Sequence, residues 1–180
     1  MKNFKTPYPH IKCLNFLTLS EYHAMMVSVS SLEWELYDKG SYKYKVSSID
    51  YETECYIQNQ AIIEKFISED FISLLSEALK IKLEKCVDFT FHKMDIGDFS
   101  QKHTDKNEFG QLARIVYYLS KPDDYEGGCL RLFDLDGQTV YEELKMPMNS
   151  WFGFRLTDDF FHEVQTIGKG IRYCICVTYS

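Results

Sequence analysis

The sequence predicts an α+β protein in which helices precede a double-sheet jelly roll. The first half carries apolar residues at helical spacing behind hydroxyl caps, and the second half breaks into eight short apolar or alternating runs. Turn-forming Gly, Pro and Asp residues separate those runs, which is the punctuation of a closed β architecture.

Residues 11–16 form a short apolar segment, and a helix is expected over about 20–36, entered through Thr18, Ser20 and Glu21. The stretch 37–56 is rich in Tyr, Lys and Ser around Gly40. It reads as a hairpin or mobile segment with the alternation Tyr42, Tyr44, Val46, and its favoured role is that of a solvated loop rather than a lid. A clearer helix begins at Ser68, which caps Glu69 and Asp70. Phe71, Leu74, Leu75, Ala78 and Leu79 share one face, and the helix is expected to end near Leu83. Strands are expected over 87–94, 99–103, 113–119, 129–133, 139–144, 150–154, 161–166 and 171–179. Between them, Asp136-Gly137 signals a hairpin, Lys121-Pro122-Asp123-Asp124 a turn, Glu126-Gly127-Gly128 a loop and Gly168-Lys169-Gly170 a second turn. The 180 residues read as one unit, with 1–85 as mainly helical support and 86–180 as the jelly-roll core.

Hydrophobic residues at 45%, with 13 Tyr and 13 Phe, can fill such a core. A net charge of -7 offers no basic surface to phosphate backbones or anionic lipid, so neither nucleic acid nor membrane is an expected partner. The six cysteines are dispersed. Cys174 and Cys176 share one strand face, a poor arrangement for a disulfide, so all six read as reduced thiols in a cytoplasmic protein. Neither a leader h-region nor a membrane-length apolar run is present, and nothing in the sequence sets an oligomeric state.

His103 and Asp105 lie two residues apart, so in extended backbone both side chains leave the same face and can share one ion. His162 returns 57 positions after Asp105 and completes two histidines and a carboxylate, the facial set that favours non-haem Fe(II) and leaves coordination positions open. Arg172 follows inside the last strand. An arginine pointing inward requires an anion for its guanidinium fork, and an anionic cosubstrate supplies one.

These residues, with Arg114-Ile-Val-Tyr-Tyr118-Leu, Glu126-Gly-Gly-Cys-Leu-Arg-Leu-Phe133, His162-Glu-Val-Gln165 and Arg172-Tyr173, resemble the prolyl-4-hydroxylase-like branch of the 2-oxoglutarate dioxygenases, most closely its oxygen-sensing prolyl hydroxylases. The resemblance spans about residues 87–179. It implies a double-stranded β-helix with His103, Asp105 and His162 on Fe(II), and Arg172 on the distal carboxylate of 2-oxoglutarate with help from the Tyr118 hydroxyl. It also implies O2 as second cosubstrate, ascorbate as a candidate reductant, and hydroxylation of a C–H bond. The expected substrate is a prolyl or other side chain in a peptide or protein, with a free amino acid or small metabolite as the alternative. Retention of Asp105 disfavours halogenation. A non-enzymatic jelly-roll metal module and a zinc hydrolase are the rivals of other classes.

Three positions, 94, 114 and 178, depart from that pattern. Met94 replaces a tyrosine near the metal-bound end of the cosubstrate. His92, two residues earlier, either compensates or serves as a structural histidine. Arg114 replaces a small polar residue and either meets an acidic group on the substrate or reaches solvent, the second being favoured. Thr178 stands where the nearest relatives line the pocket with tryptophan. His10 and His23 lie outside the matching region and read as surface or packing residues.

Overall fold

The computed structural model describes residues 9–49, 52–106 and 109–180. In chain order the elements are β1 (His10–Leu14), α1 (Leu19–Val29), β2 (Glu35–Asp38), β3 (Tyr42–Ser48), α2 (Glu54–Ile67) and α3 (Glu69–Leu79). There follow β4 (Cys86–Met94), β5 (Phe99–His103), β6 (Ala113–Tyr118), a 3-10 turn (Pro122–Asp124), β7 (Tyr125–Gly127), β8 (Leu130–Phe133) and β9 (Val140–Leu144). The chain ends through β10 (Ser150–Arg155), β11 (His162–Val164), β12 (Ile167–Gly170) and β13 (Arg172–Tyr179). Among the described residues, eleven strands form one sheet in the order β1-β10-β6-β13-β4-β3-β5-β11-β8-β9, with β2 hairpinned onto β3, while β7 and β12 make a separate pair. The long sheet curls into the half-barrel of a jelly roll, as the sequence predicts.

Side chains alternate across a strand, and that period divides the molecule into two packed layers. Phe89 and Phe91 of β4, Ile115 and Tyr117 of β6, and Ile175, Val177 and Tyr179 of β13 face the helices, where they meet Met25, Ile63, Phe66, Leu75 and Leu79. Their neighbours Val116, Tyr118, Cys174 and Cys176 face inward to Leu130, Leu132, Phe152 and Phe154. The helices therefore seal one side of the sheet, and the curled side keeps a cavity.

The helices differ from expectation in three ways. α1 has the anticipated capping box between Thr18 and Glu21 but stops at Val29 instead of near Leu36. The hydroxyls of Ser28, Ser30 and Ser31 fold back on the preceding turn's carbonyls, and 35–38 leaves as an edge strand. α2 is a helix the sequence reading missed. Its buried stripe of Cys55, Asn59, Ile62, Ile63 and Phe66 has a polar residue at its centre, and Asn59 leaves helical geometry to donate to Ser28 Oγ at 2.6 Å. α3 ends at Leu79 because Lys80 takes a left-handed conformation, so Leu83 is buried outside the helix while Leu74 is 50% exposed. The loop at 126–128 and the turn at 168–170 also pair with one another as β7 and β12. β1, β2 and β3 of the N-terminal half join the sheet; within 37–56 the hairpin reading holds, since β2 and β3 pair around Gly40, while the favoured solvated loop does not, since β3 bridges β4 and β5.

Asn149 ties β10 to the entry of α1. Its Oδ1 accepts from Leu17 N at 2.9 Å and Tyr117 Oη at 2.8 Å, and its Nδ2 donates to Leu17 O at 2.8 Å, all from a backbone φ of 58°. Replacing it with alanine strands the buried Leu17 backbone and keeps the left-handed strain. Asn149→Ala is expected to cost roughly 2–4 kcal/mol in urea unfolding, with Asn149→Gly recovering about 1 kcal/mol of that. Equal stability of the two variants would show that strain has no part in the loss.

Candidate active site

Antiparallel register brings the first two candidate ligands together. His162 of β11 lies opposite His103 of β5, and their ring centroids are 4.3 Å apart. Asp105 follows two residues beyond the end of β5, where its carboxylate reaches 3.3 Å from Nε2 of both histidines. The His103 Nδ1 lies 2.7 Å from Gln101 O and the His162 Nδ1 lies 3.2 Å from Phe160 O. A carbonyl only accepts, so each Nδ1 carries the proton and each Nε2 turns a lone pair toward the carboxylate. Two lone pairs and a carboxylate converging without a proton between them make a cation site, and the carbonyl-anchored imidazole is the usual outer arrangement of a metal-bound histidine.

Arg114 lies across this site from where the sequence favoured it. Its side chain keeps 22% of its surface exposed, but the guanidinium turns onto the site: Nη1 is 2.8 Å from Asp105 Oδ1 and Nε donates to Thr178 Oγ1 at 3.1 Å. Burial pushes the Asp105 carboxyl up, but the Arg114 guanidinium beside it outweighs that and holds it well below the usual carboxylate range. Thr178 is fully buried and supports Arg114 from beneath instead of lining the cavity.

At the other end stands Arg172, 3% exposed, on the first residue of β13. Its Nη1 has only sulfur acceptors, Met94 Sδ at 3.3 Å and Cys174 Sγ at 3.4 Å, and its Nε has no partner among the described residues. No described carboxylate lies within ion-pair distance of it. The Tyr118 ring lies 5.2 Å from its guanidinium carbon, and the hydroxyls of Tyr118 and Tyr125 are buried without a well-formed hydrogen bond. Burial raises both phenols, against the pull of Arg172, so both stay O–H donors. A buried cation and two idle donors are the complement of a carboxylate. Gly128, at φ +62°, is packed so closely that an added Cβ would sit 3.2 Å from Arg172 Cδ and 2.5 Å from Ile167 Cδ1.

The two ends share one cavity of about 400 Å³. Its remaining wall holds residues that the motif reading did not assign to a site. Tyr42 packs edge-on against His103 at 4.9 Å, Tyr44 stacks on His92 at 4.8 Å, and Tyr37 stacks on Tyr44 at 5.3 Å. The period-two alternation of Tyr42 and Tyr44 on β3 was visible in the sequence, and Tyr37 reaches them from β2; what hid all three was the favoured reading of 37–56 as a solvated loop. Between the ends, Arg172 Nη1 lies 3.4 Å from Cys174 Sγ, and that cation, with Cys176 alongside, draws the Cys174 thiol down against its burial. His10 packs on Phe152 and His23 on Tyr22, both away from the cavity.

The chain matches the 2OG-Fe(II) oxygenase superfamily over residues 89–179. It is 25% identical over 167 residues to prolyl 3-hydroxylase OGFOD1 of Xenopus laevis, an alignment that covers 89% of this chain but 32% of that protein, so the chain spans about a third of that relative's length. Among solved structures, a prolyl-4-hydroxylase of Pseudomonas putida superposes with TM-score 0.74 at 20% identity, covering 96% of this chain and 92% of that one. A prolyl hydroxylase of Trichoplax adhaerens, in complex with a hypoxia inducible factor oxygen degradation domain peptide fragment, superposes with TM-score 0.77 at 16% identity, covering 96% and 84%. At such identities the superpositions show a shared fold.

His92 offers a test of the electrostatics. Burial, then Arg114 and Arg172, push its ring down from the ordinary 6.5 to about 3. A histidine depressed in the folded state contributes stability that is complete above about 6.5 and is lost as pH falls toward 3, because the unfolded chain takes the proton first. The metal-free protein should therefore lose up to ~1.4 kcal/mol per pH unit on this account between pH 6.5 and 5. Urea midpoints at both pH values should show a shallower pH dependence in His92→Phe, which keeps a ring against Tyr44; an unchanged slope removes His92 as the cause.

Proposed function

The chain belongs to the 2OG-Fe(II) oxygenase superfamily, a family of dioxygenases that use Fe(II), 2-oxoglutarate and O2, and on that premise we propose that it hydroxylates a C–H bond of a prolyl or other amino-acid side chain in a peptide or protein. The observation that carries the reading is Arg172, a buried guanidinium without a carboxylate, at the far end of a cavity whose near end is His103, Asp105 and His162.

His103 and His162 would hold iron through Nε2 and Asp105 through its carboxylate, with Arg114 fixing the Asp105 oxygen turned toward it. Arg172 and Tyr118 would bind the distal carboxylate of 2-oxoglutarate, with Tyr125 as a further donor that the motif match did not include. Bound together, iron, cosubstrate and dioxygen supply the oxidant that places one oxygen atom in the substrate and the other in succinate as carbon dioxide leaves. The protein's own work is orientation and dryness. The Tyr37, Tyr42 and Tyr44 wall, fixed by the β3 ladder, excludes water beside His103 and gives a substrate an aromatic surface.

One contact favours a peptide over a free amino acid. A free amino acid needs a partner for its own carboxylate, and Arg114, the guanidinium nearest the metal end, is already engaged by Asp105 and Thr178. The similarity to the Xenopus laevis prolyl 3-hydroxylase and the fold shared with two prolyl hydroxylases support proline as the first residue to test. Six free cysteines support a reducing compartment such as the cytoplasm, and no described helix is long and apolar enough to cross a membrane. We take residues 1–180 as one catalytic unit, since β1 and β3 of the first half are ladder members of the same sheet as β13.

Anaerobic addition of Fe(II) and 2-oxoglutarate should give a metal-to-ligand charge-transfer band, and admitting oxygen should release succinate. Absence of both in folded protein overturns the reading. His103→Ala should abolish iron retention. Arg172→Ala should retain iron while weakening 2-oxoglutarate at least about 30-fold, the lower end of the roughly 2–5 kcal/mol lost when a buried charge loses its partner. Proline-containing peptides should stimulate succinate release more than free proline does; the reverse order would move the substrate to the free amino acid.

A further inference from the structure

Between the two ends of the cavity lies a cluster that the dioxygenase reading does not use. Cys174 and Cys176 are successive inward residues of β13, and His92 of β4 is the register partner of Cys174. The two sulfurs and a ring nitrogen of His92 all lie within 4.8 Å of one another. The His92 ring plane is set by Tyr44, stacked at 4.8 Å with 18° between planes, and its nitrogens have no hydrogen-bond partner among the described residues. All three side chains line the cavity.

We propose that His92, Cys174 and Cys176 form a second metal site, for a thiophilic cation of the zinc(II) class, and that a cation held there keeps 2-oxoglutarate out. One imidazole and two sulfurs are the donor set that zinc takes, with the fourth position left to water. Zinc–sulfur bonds of ~2.3 Å in a tetrahedron place the sulfurs ~3.8 Å apart, so the cluster needs to contract by no more than about 1 Å. The donor set differs from the triad, where a carboxylate and two imidazoles suit iron.

The position gives the site its consequence. In the ladder between β13 and β6, Thr178 pairs with Arg114, Cys176 with Val116, and Cys174 with Tyr118. Arg114 holds Asp105 at the triad end, and Tyr118 lies against Arg172 at the other. A dicarboxylate stretched from the triad to Arg172 must cross Cys176 and Cys174, where the second cation would sit. This exclusion rests on the reading of the triad and Arg172 given above; the metal site itself does not.

The test uses cobalt(II) as a spectroscopic stand-in for zinc. Titrated anaerobically into the full chain carrying His103→Ala and His162→Ala, which removes the triad, cobalt should give a near-ultraviolet thiolate-to-cobalt band that saturates at one equivalent and is erased by zinc. The same titration of wild type whose triad is already filled with Fe(II) should give the same band, which guards against misfolding of the double variant. Adding Cys174→Ala and Cys176→Ala should remove it. A spectrum without the thiolate band, or a band that survives loss of both cysteines, overturns the site. In iron-loaded wild type, one equivalent of zinc should raise the apparent dissociation constant of 2-oxoglutarate at least ~10-fold, with iron retained after desalting. An unchanged constant beside a full thiolate band overturns the exclusion alone, whereas failure of 2-oxoglutarate to bind even without zinc counts against the triad reading.

Discussion

A buried guanidinium with no carboxylate beside it among the described residues is the constraint around which the cavity is organised. Arg172 is held on the first residue of β13 by ladder bonds to β4, packed against Gly128 and Tyr118, and given only two sulfur atoms as acceptors. A charge taken out of water at such a place is unfavourable until an anion arrives, and leaving it so stores part of the binding energy of that anion. Rigid packing matters as much as charge. Because Arg172 cannot swing to solvent, the carboxylate must come to it, and the distance from there to His103, Asp105 and His162 selects what else the ligand can be.

The strands that build the site also build the core, and the same alternation serves both. On β13 the even-numbered residues Arg172, Cys174, Cys176 and Thr178 face the cavity or its rim, while Ile175, Val177 and Tyr179 are packed against the helices. A one-residue slip of this strand would exchange the two sets and bury every charge in the helical layer. The helices thus act on function without touching it. By covering one face of β4, β6 and β13 they fix the register that sets Cys174 beside His92 and Thr178 beside Arg114.

Most of the sheet and the ends of the cavity were legible in sequence, for a physical reason. Strand identity depends on period and turn chemistry, which are local, and His103, Asp105, His162 and Arg172, weak signals singly, stood out through their order along the chain and the family resemblance that order carries. What could not be read depended on partners distant in the chain. Arg114 looked bound for solvent because its partner Asp105 lies across a fold of the barrel, and Thr178 looked like a pocket wall because nothing local said that Arg114 would fold over it. α2 was hidden by Asn59, whose amide is acceptable in a buried stripe only because Ser28 of α1 meets it. Tyr42 and Tyr44 were visible as an alternation, yet nothing local said that β3 would be clamped between β4 and β5.

Counting charges across the cavity explains why Arg114 belongs there. Asp105 is the single carboxylate of the triad, and buried alone it would take a proton and lose its value as a ligand. Arg114 keeps it ionised at 2.8 Å, but the same contact cancels its charge, so the triad offers a divalent cation well-aimed lone pairs with little net attraction. With His92 held neutral, the uncompensated charge in the depth of the cavity is that of Arg172, while the exposed Lys106 adds a second cation at the wall beside Asp105. A divalent cation alone would raise the positive charge of the cavity, and a dianion alone would overshoot Arg172 with one negative charge left near the triad. Each therefore favours the other, and the coupling grows as water is excluded and the local dielectric falls. On the proposed reading of the site, the Arg114–Asp105 pair thus favours joint capture of metal and cosubstrate over capture of the metal alone.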